Sequence, residues 1–555
     1  MLPPLVPVVP AKLVVPPVIL VAPPLPLLHP AAPTVMTNRD NTVSEQAAQR
    51  TLFPDTADSP KGAAARTGTG LPVRGGRAVP KSRNTSGMNL PAMTMEEVAR
   101  DENLIRAFAE VARNRGAPGP DGQSIDDVRR HMDELLPVLS RNLVEGTYRP
   151  GMIRRVWIPK PGGGERGLGI PDVVDRWVQQ AVHQVLSPHW EPTFHPSSHG
   201  FRPGRSCHTA IAEAKKHLEE GYEWVVDLDL EKFFDRVHWQ RLVARLEQRI
   251  KDRRLIDLIW QMLKAKVVMP DGVVTSTGEG VPQGGPLSPL LSNIVLDELD
   301  QELARRGHRF VRYADDENIY VRSERAGHRV MASVVQFIEG RMRLKVNQAK
   351  SAVARPKDRH FVGFRLRREK RSGRIEVLPS MRSRERLAGK IRELTPRALG
   401  QSVTGCIARL NAYLLGWTNF FGPVCTRATV TFLQTTDAHI RRRLRAILLR
   451  QWKRKRFIVR RLRRMGAGAS AGRSVYRGHR SLWALSHCKP VDEALSPAYF
   501  ARQGLVSLER SYRSMHTVTA PAQLELGLGP LWAPCADGGI RGLSSPDPVA
   551  PKSRM

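Results

Sequence analysis

Cysteine is scarce in this chain. Five are spread over 555 residues, Cys207, Cys406, Cys425, Cys488 and Cys535, and none forms a C-x-x-C pair. That spacing excludes a disulfide framework and a cysteine zinc site, and it fits a reducing, bacterial-type cytoplasm. Acid is in short supply too: 53 Asp and Glu face 87 Lys and Arg, a formal charge of +34 with a pI near 10.8. An imbalance of that size points to a polyphosphate backbone as partner. An unbroken apolar run is also missing. Residues 1–35 are apolar, yet they hold eleven prolines, with Lys12 the one charged side chain. No helix survives that proline density, so neither a membrane span nor a signal peptide is expected, and no membrane partner. Residues 36–87, rich in Thr, Ala, Gly, Arg and Ser, read as unstructured. Residues 1–90 are therefore expected to be a disordered or non-native extension, with the fold starting near Met88 or Met95.

What the chain does have is a pair of adjacent carboxylates inside an apolar frame. Asp315 and Asp316 follow Phe310, Val311 and Tyr313 and precede Ile319, Tyr320 and Val321. The pattern reads as two short strands with the acids at the tip of a tight turn. Asp is a common turn former, so a solvated turn fits this segment as well. A half-buried acid pair, in contrast, needs a cation, and hard oxygen ligands without His or Cys point to Mg²⁺. A third carboxylate on a matching strand decides between the two. Trp224–Leu230 reads as such a strand, and Asp227 and Asp229 interrupt it on one face, two residues apart. Carboxylates on a buried strand are costly unless paired or metal-bound, so Asp229 is the third candidate ligand. Phe234 stands just beyond it, where a ring could press on a nucleotide sugar; core packing of Phe233 and Phe234 is the plainer reading.

Around these anchors lie helices and loops. Helices are expected from Met95 to Val111, Ser124 to about Leu143, Val173 to about Val185, Trp239 to about Lys264, Leu290 to about Ala304 and Arg329 to about Arg341. A glycine-rich reversal at residues 160–168 joins two strands and places Lys160 and Arg166 beside a flexible tip suited to a triphosphate, or to a plain surface turn. His199–Ser206 is a basic loop that opens a helix. The rigid loop Val281–Pro289 carries Gln283 as its most useful polar group, and Phe361–Phe364 reads as a strand. From residue 381 the chain turns helical and basic: residues 438–464 hold thirteen Lys and Arg and no acid. Uncompensated cations at that density favour a nucleic-acid groove over a solvated face. It is lined by Arg441, Arg442, Arg443, Arg445, Arg450, Lys453, Arg454, Lys455 and Arg456.

In this order the segments resemble one family, the group II intron-encoded reverse transcriptase and maturase. The features are Ile158–Pro171, Gly200–Ser206, the Asp229 strand, Pro282–Gly284, Tyr313–Asp316, Asn347–Ser351 and Val362–Phe364. Leu410–Phe421 resembles the thumb signature of the maturase domain. The resemblance covers residues 95–515 and implies an α+β right-hand polymerase: helical fingers (95–220), an antiparallel-sheet palm (221–375) and a helical thumb/maturase region (381–475). A basic region follows (476–515, a candidate DNA-binding segment), then a disordered tail (516–555). It implies that Asp229, Asp315 and Asp316, helped by the Leu230 carbonyl, hold two Mg²⁺ ions, with Mn²⁺ as an alternative. It also implies triphosphate contacts at Lys160 and Arg166, a steric gate at Phe234, Gln283 in the nucleotide pocket and Lys350 as proton donor to pyrophosphate. The partners implied are the intron RNA, target DNA, an RNA template with DNA primer, and dNTPs; a homodimer is compatible. No Cys pairs with a His cluster after residue 515, which resembles the short class C proteins without an HNH endonuclease domain.

The expected function is RNA-directed DNA polymerisation with assistance to intron splicing and retrohoming. Three alternatives compete. A maturase-only RNA chaperone would be expected to have lost acids that remain here. An RNA-dependent RNA polymerase would favour Gly before the acid pair. A reverse transcriptase domesticated in anti-phage defence would not carry the thumb signature.

Overall fold

The computed structural model describes residues 90, 92–159, 164–396, 402–477 and 481–517. The expectations for residues 1–89, for Lys160 and for 518–555 lie outside the described residues.

The N-terminal helices come from capped, acid-led segments. Thr94 caps Met95–Ala99, and Ser124 caps Ile125–Arg130 through a reciprocal capping box with Asp127. Each expected helix is in fact two. Arg100, with ψ at 132°, separates Met95–Ala99 from Asp101–Arg113, and His131 breaks the second before Met132–Val144. Met95–Ala99, Asp101–Arg113 and Ile125–Arg130 pack on Val173–Trp190, the long buried helix at the centre of this layer, whereas the second break lets Met132–Val144 pack on the first two helices instead. Likewise Trp239–Lys264 is two helices, Trp239–Glu247 and Arg253–Leu263, with Asp252 capping the second.

The strands β1 (Ile153–Pro159) and β2 (Glu165–Pro171) form the expected antiparallel hairpin, extended by the short pair β4 (Val267–Val268) and β5 (Val274–Thr275). The central sheet has the order β6 (Arg309–Tyr313), β7 (Asp316–Val321), β3 (Trp224–Leu228), β8 (Ala352–Ala354), antiparallel throughout. Its buried residues Val226, Leu228, Phe310 and Ile319 pack on the helices of the first core, Val225, Val311 and Tyr320 on those of the second. Alternation along a strand puts neighbours on opposite faces, which is how one thin sheet serves two cores.

A third sheet pairs β9 (Phe364–Arg368) with β10 (Ile375–Pro379). The expected strand at Phe361–Phe364 is instead mostly a turn: Val362 and Gly363 have φ of 48° and 85°, and Phe361 and Phe364 exchange both backbone hydrogen bonds. Positive φ at two consecutive residues closes a two-residue hairpin, which a continuous strand does not allow. Phe364 then packs on Phe420 and Phe421 of the helix Val403–Phe421, tying palm to thumb. The thumb's long helix Val430–Gln451 carries the short C-terminal helices on its flank. Asp437 accepts hydrogen bonds from Ser507 Oγ, Leu508 N and Glu509 N, and Tyr512 Oη donates to Cys425 O at 2.9 Å. The helix Leu508–Thr517 runs two residues into the segment read as tail. Among the described residues, no helix is long and apolar enough to cross a membrane.

Candidate active site

Strand register builds the site. The β3–β7 ladder pairs Trp224 with Val321 and continues residue by residue to Leu228 with Glu317. One step further, Asp229 comes abreast of Asp316, the first residue of β7. The β6–β7 hairpin pairs Tyr313 with Asp316, which leaves Ala314 and Asp315 as its two-residue turn, with Ala314 at a φ of 57°. The acid pair thus stands at a hairpin tip, and the third acid arrives from the neighbouring strand.

The charges at this tip act on one another. Burial pushes Asp316 up to about 7, and the negative charges of Asp315, Asp227 and Asp229 push the same way, against the pull of Arg166. Asp316 is nonetheless an exposed residue, so solvent screening counts against the size of that shift and leaves its upward direction standing. Asp315 is also raised, by burial first and Asp229 second, while Arg166 and Arg312 favour its charged form. Arg166, exposed on β2, is therefore near enough to bias both carboxylates. Lys350 places Nζ 3.5 Å from Asp229 Oδ1. Asp229 is held through its backbone: its N–H donates to Ser351 Oγ at 3.0 Å, and its carbonyl accepts from Asn347 N at 2.8 Å. Leu230 bridges Val346 across the same seam.

Asp227, the other acid on β3, has a different fate. Arg359 Nε donates to its Oδ2 at 2.6 Å, so its charge is spent on an arginine. Hard oxygen donors held by crowded carboxylates fit a divalent ion such as Mg²⁺. Among the described residues, however, no three acidic, histidine or cysteine side chains stand in a ready-made ligand arrangement. Asp229 is turned to Lys350, while burial first and the neighbouring carboxylates second raise Asp315 and Asp316.

The nucleotide-pocket candidates meet beside this tip. Phe233 is core and Phe234 is half-buried, in one 3₁₀ turn, Phe233–Arg236, that follows Lys232 at a φ of 49°. Phe234 and Gln283 line one small cleft with Arg155 and Gly169. The loop carrying Gln283 is pinned on two sides. Val281 N donates to Phe234 O at 2.6 Å, and Gly169 N to Gln283 O at 2.7 Å. Gly284 has a φ of 123°, and a Cβ there would collide with the Gly169 carbonyl, so glycine is required.

The basic thumb segment divides in two. Arg445 is buried, ion-paired with Asp492, and donates from Nε to Leu495 O at 2.9 Å. It ties the helix Val430–Gln451 to the short helix Lys489–Ala494, and its burial removes it from the surface expected to bind RNA, which corrects the expectation for this residue. Arg443 donates to Thr395, and Arg442 stacks over Trp483, so both are engaged with protein. Arg441 is half-buried, whereas Arg450, Lys453, Arg454, Lys455 and Arg456 are exposed. Arg460, Arg461, Arg463 and Arg464 of the helix Lys455–Arg464, part of the basic run 438–464, extend that exposed surface. Sequence reading also missed Arg312, whose burial nothing in a strand pattern announces.

An antiparallel sheet with an acid pair at one hairpin tip and a third acid alongside defines a polymerase palm of the right-hand type. Comparison with known proteins agrees. The chain matches the family described as reverse transcriptase (RNA-dependent DNA polymerase) over residues 158–366, and the group II intron maturase-specific domain over 384–466. It is 34% identical over 337 residues to Protein YkfC of Escherichia coli (strain K12), covering 52% of this chain and 88% of that one. Over 196 residues it is 38% identical to the group II intron-encoded protein LtrA of Lactococcus lactis subsp. cremoris, covering 35% of this chain and 32% of LtrA. Over 205 residues it is 32% identical to the putative COX1/OXI3 intron 2 protein of Saccharomyces cerevisiae, covering 37% of this chain and 24% of that protein. The chain thus spans about a third or less of the length of these last two relatives. The chain belongs to the group II intron-encoded reverse transcriptase and maturase family, and its catalytic part is an RNA-directed DNA polymerase domain.

Proposed function

We propose that this chain copies RNA into DNA at the Asp229–Asp315–Asp316 tip, binds its own intron RNA and assists splicing. It then supports retrohoming by extending a primer made in the target DNA. The reading is supported above all by the β3–β7 register, which, continued one step past Leu228 and Glu317, sets Asp229, 86 positions upstream of Asp315, opposite Asp316. Asp229, Asp315 and Asp316 would hold two Mg²⁺ ions with the Leu230 carbonyl, or Mn²⁺ in their place. When bound there, the ions supply activation of a 3′ hydroxyl and neutralisation of the departing pyrophosphate.

The chain's own residues do the rest by placement. Arg166, on β2 and near the acids, binds triphosphate oxygens, with Lys160, outside the described residues, as a second contact. Lys350, beside Asp229, gives its proton to pyrophosphate. The Phe234 ring closes the sugar side of the cleft against a 2′ hydroxyl, and Gln283 orients the base from its pinned loop. The exposed cations from Arg450 to Arg464 carry the RNA backbone, a contact without base information. The test is Asp315→Ala with Asp316→Ala in the full chain. Primer extension on poly-rA with dTTP is expected to vanish while intron RNA binding persists; an active double variant would refute the assignment.

A further inference from the structure

We infer that Arg312 is the positioning residue of the acid pair, holding the Ala314 turn in the geometry that sets Asp315 and Asp316 beside Asp229. The inference rests on the polymerase reading for its functional meaning, and on the hydrogen bonds of Arg312 for its substance.

Arg312 has no solvent exposure. A guanidinium has five N–H donors, and here all five are used. Nε donates to Asp300 Oδ1 at 2.7 Å, and Nη2 donates to Asp300 Oδ2 at 2.5 Å and to Ser198 Oγ at 2.7 Å. Nη1 donates to Asn293 Oδ1 at 3.0 Å and to the Ala314 carbonyl at 2.9 Å. One side chain therefore ties together the helix Ser288–Arg305, the loop before Gly200 and the turn that carries the acids.

The main chain repeats the connection. Arg312 N donates to Ser197 O, and His199 N donates to Arg312 O, each at 2.9 Å. Asn293 Nδ2 donates to Gly200 O at 2.9 Å, and a Cβ at Gly200 would collide with the Ala314 nitrogen. Gly200 is thus a close-approach glycine, pressed against the turn from the other side. Ala314 itself sits at a positive φ, unusual for an alanine, and an external hold is needed to keep it there. The Nη1 bond to its carbonyl is that hold. Buried as it is, Arg312 contacts neither nucleotide nor metal; it acts by holding the turn, and its charge also favours the ionised form of Asp315. Lysine cannot replace it: an ammonium has three donors and no planar fork.

The decisive variants are Arg312→Lys and the paired Arg312→Met with Asp300→Leu, made in the full chain. The paired change removes Arg312 and Asp300 at similar volume, which commonly leaves folding intact; the third buried acid, Glu317, 4.0 Å from Arg312 Nε, is already held well above the ordinary carboxylate range by burial and can stay protonated. Three quantities are read: amide exchange across residues 312–318, kcat and KM for dTTP in primer extension, and the Mg²⁺ concentration giving half activity. Both variants are expected to keep intron RNA binding, with Arg312→Lys melting lower because some of the five buried acceptors lose their donor; read at a temperature where each is fully folded, both should exchange at least about tenfold faster at the turn. Their kcat should fall by about a hundredfold with KM nearly unchanged, the cost of misplacing a catalytic group, and the Mg²⁺ midpoint should rise. A merely structural role predicts that the apolar pair restores wild-type exchange and kcat, and that result overturns the inference. If the pair does not fold, Arg312→Lys, which keeps a charge for Asp300, decides on the same readings. If the wild type extends no primer, the polymerase reading fails, and exchange at the turn alone decides the positioning role.

Discussion

The palm tip and the basic thumb segment are both clusters of like charge, and the chain treats them in opposite ways. At the tip, strand register brings Asp229 near Asp315 and Asp316, and the latter two are held above their ordinary carboxylate range. In the thumb, the helix Val430–Gln451 turns Arg445 into the core, while Arg450 near its end and Lys453–Arg456 beyond it stay in solvent. Crowded charge that the fold does not relieve marks a place awaiting a ligand. Charge relieved by a carboxylate or a carbonyl marks structure.

The largest expected effect belongs to the tip. Asp315→Ala with Asp316→Ala should lower primer extension by roughly 10⁴-fold or more without loss of RNA binding, since residues acting as one unit fail together. Measured loss of RNA binding in parallel would show that the tip and thumb are not separable.

Next comes the contrast inside the thumb. Arg445→Ala should destabilise the chain by about 3 kcal/mol, because Asp492 and the Leu495 carbonyl lose their buried partner. Neutralising Lys453, Arg454, Lys455 and Arg456 together should leave the melting temperature nearly unchanged. It should flatten the log–log salt dependence of RNA binding by about three, as four phosphate contacts are lost. Denaturant titration and filter binding read these two outcomes, and swapped results would reverse the division drawn here.

Phe234→Ala should raise ribonucleotide incorporation by roughly 10–200-fold, the range for one apolar contact in a pocket. Strict deoxynucleotide preference in that variant would remove the ring from its gate role.

The smallest effect is a pH effect on stability. With folded-state values raised, Asp315 and Asp316 bind protons more tightly in the native chain than in the unfolded one. Stability from these groups is therefore present at low pH and is lost as pH rises towards about 7. Mg²⁺ should restore it, raising the melting temperature more at about pH 8 than at about pH 5.5, because ligands must be deprotonated to bind. Equal Mg²⁺ shifts at both pH values would mean that the acids do not bind the ion.

Much of this was readable before any coordinates. Apolar residues bracketing Asp315 and Asp316 defined the hairpin, and period-two burial around Asp227 and Asp229 defined its neighbour. What the strand pattern could not separate was Asp227 from Asp229, because the partner that claims Asp227 is Arg359, 132 positions away. Nor could composition divide the thumb arginines: Arg445 is inward only because Asp492 and Leu495 come round to meet it. The helix breaks at Arg100 and His131 were hidden for a related reason, since periodicity continues across each break and only tertiary packing favours two short helices over one long one. Val362, a β-branched residue at positive φ, contradicts its own propensity and was read as strand accordingly.

The central claim is that Asp229 joins Asp315 and Asp316 in holding divalent ions. Mn²⁺ binding to the full chain with template-primer and dTTP, counted by electron paramagnetic resonance, tests it most directly. Two bound ions are expected in the wild type and one or none in Asp229→Asn; two ions in both would contradict it.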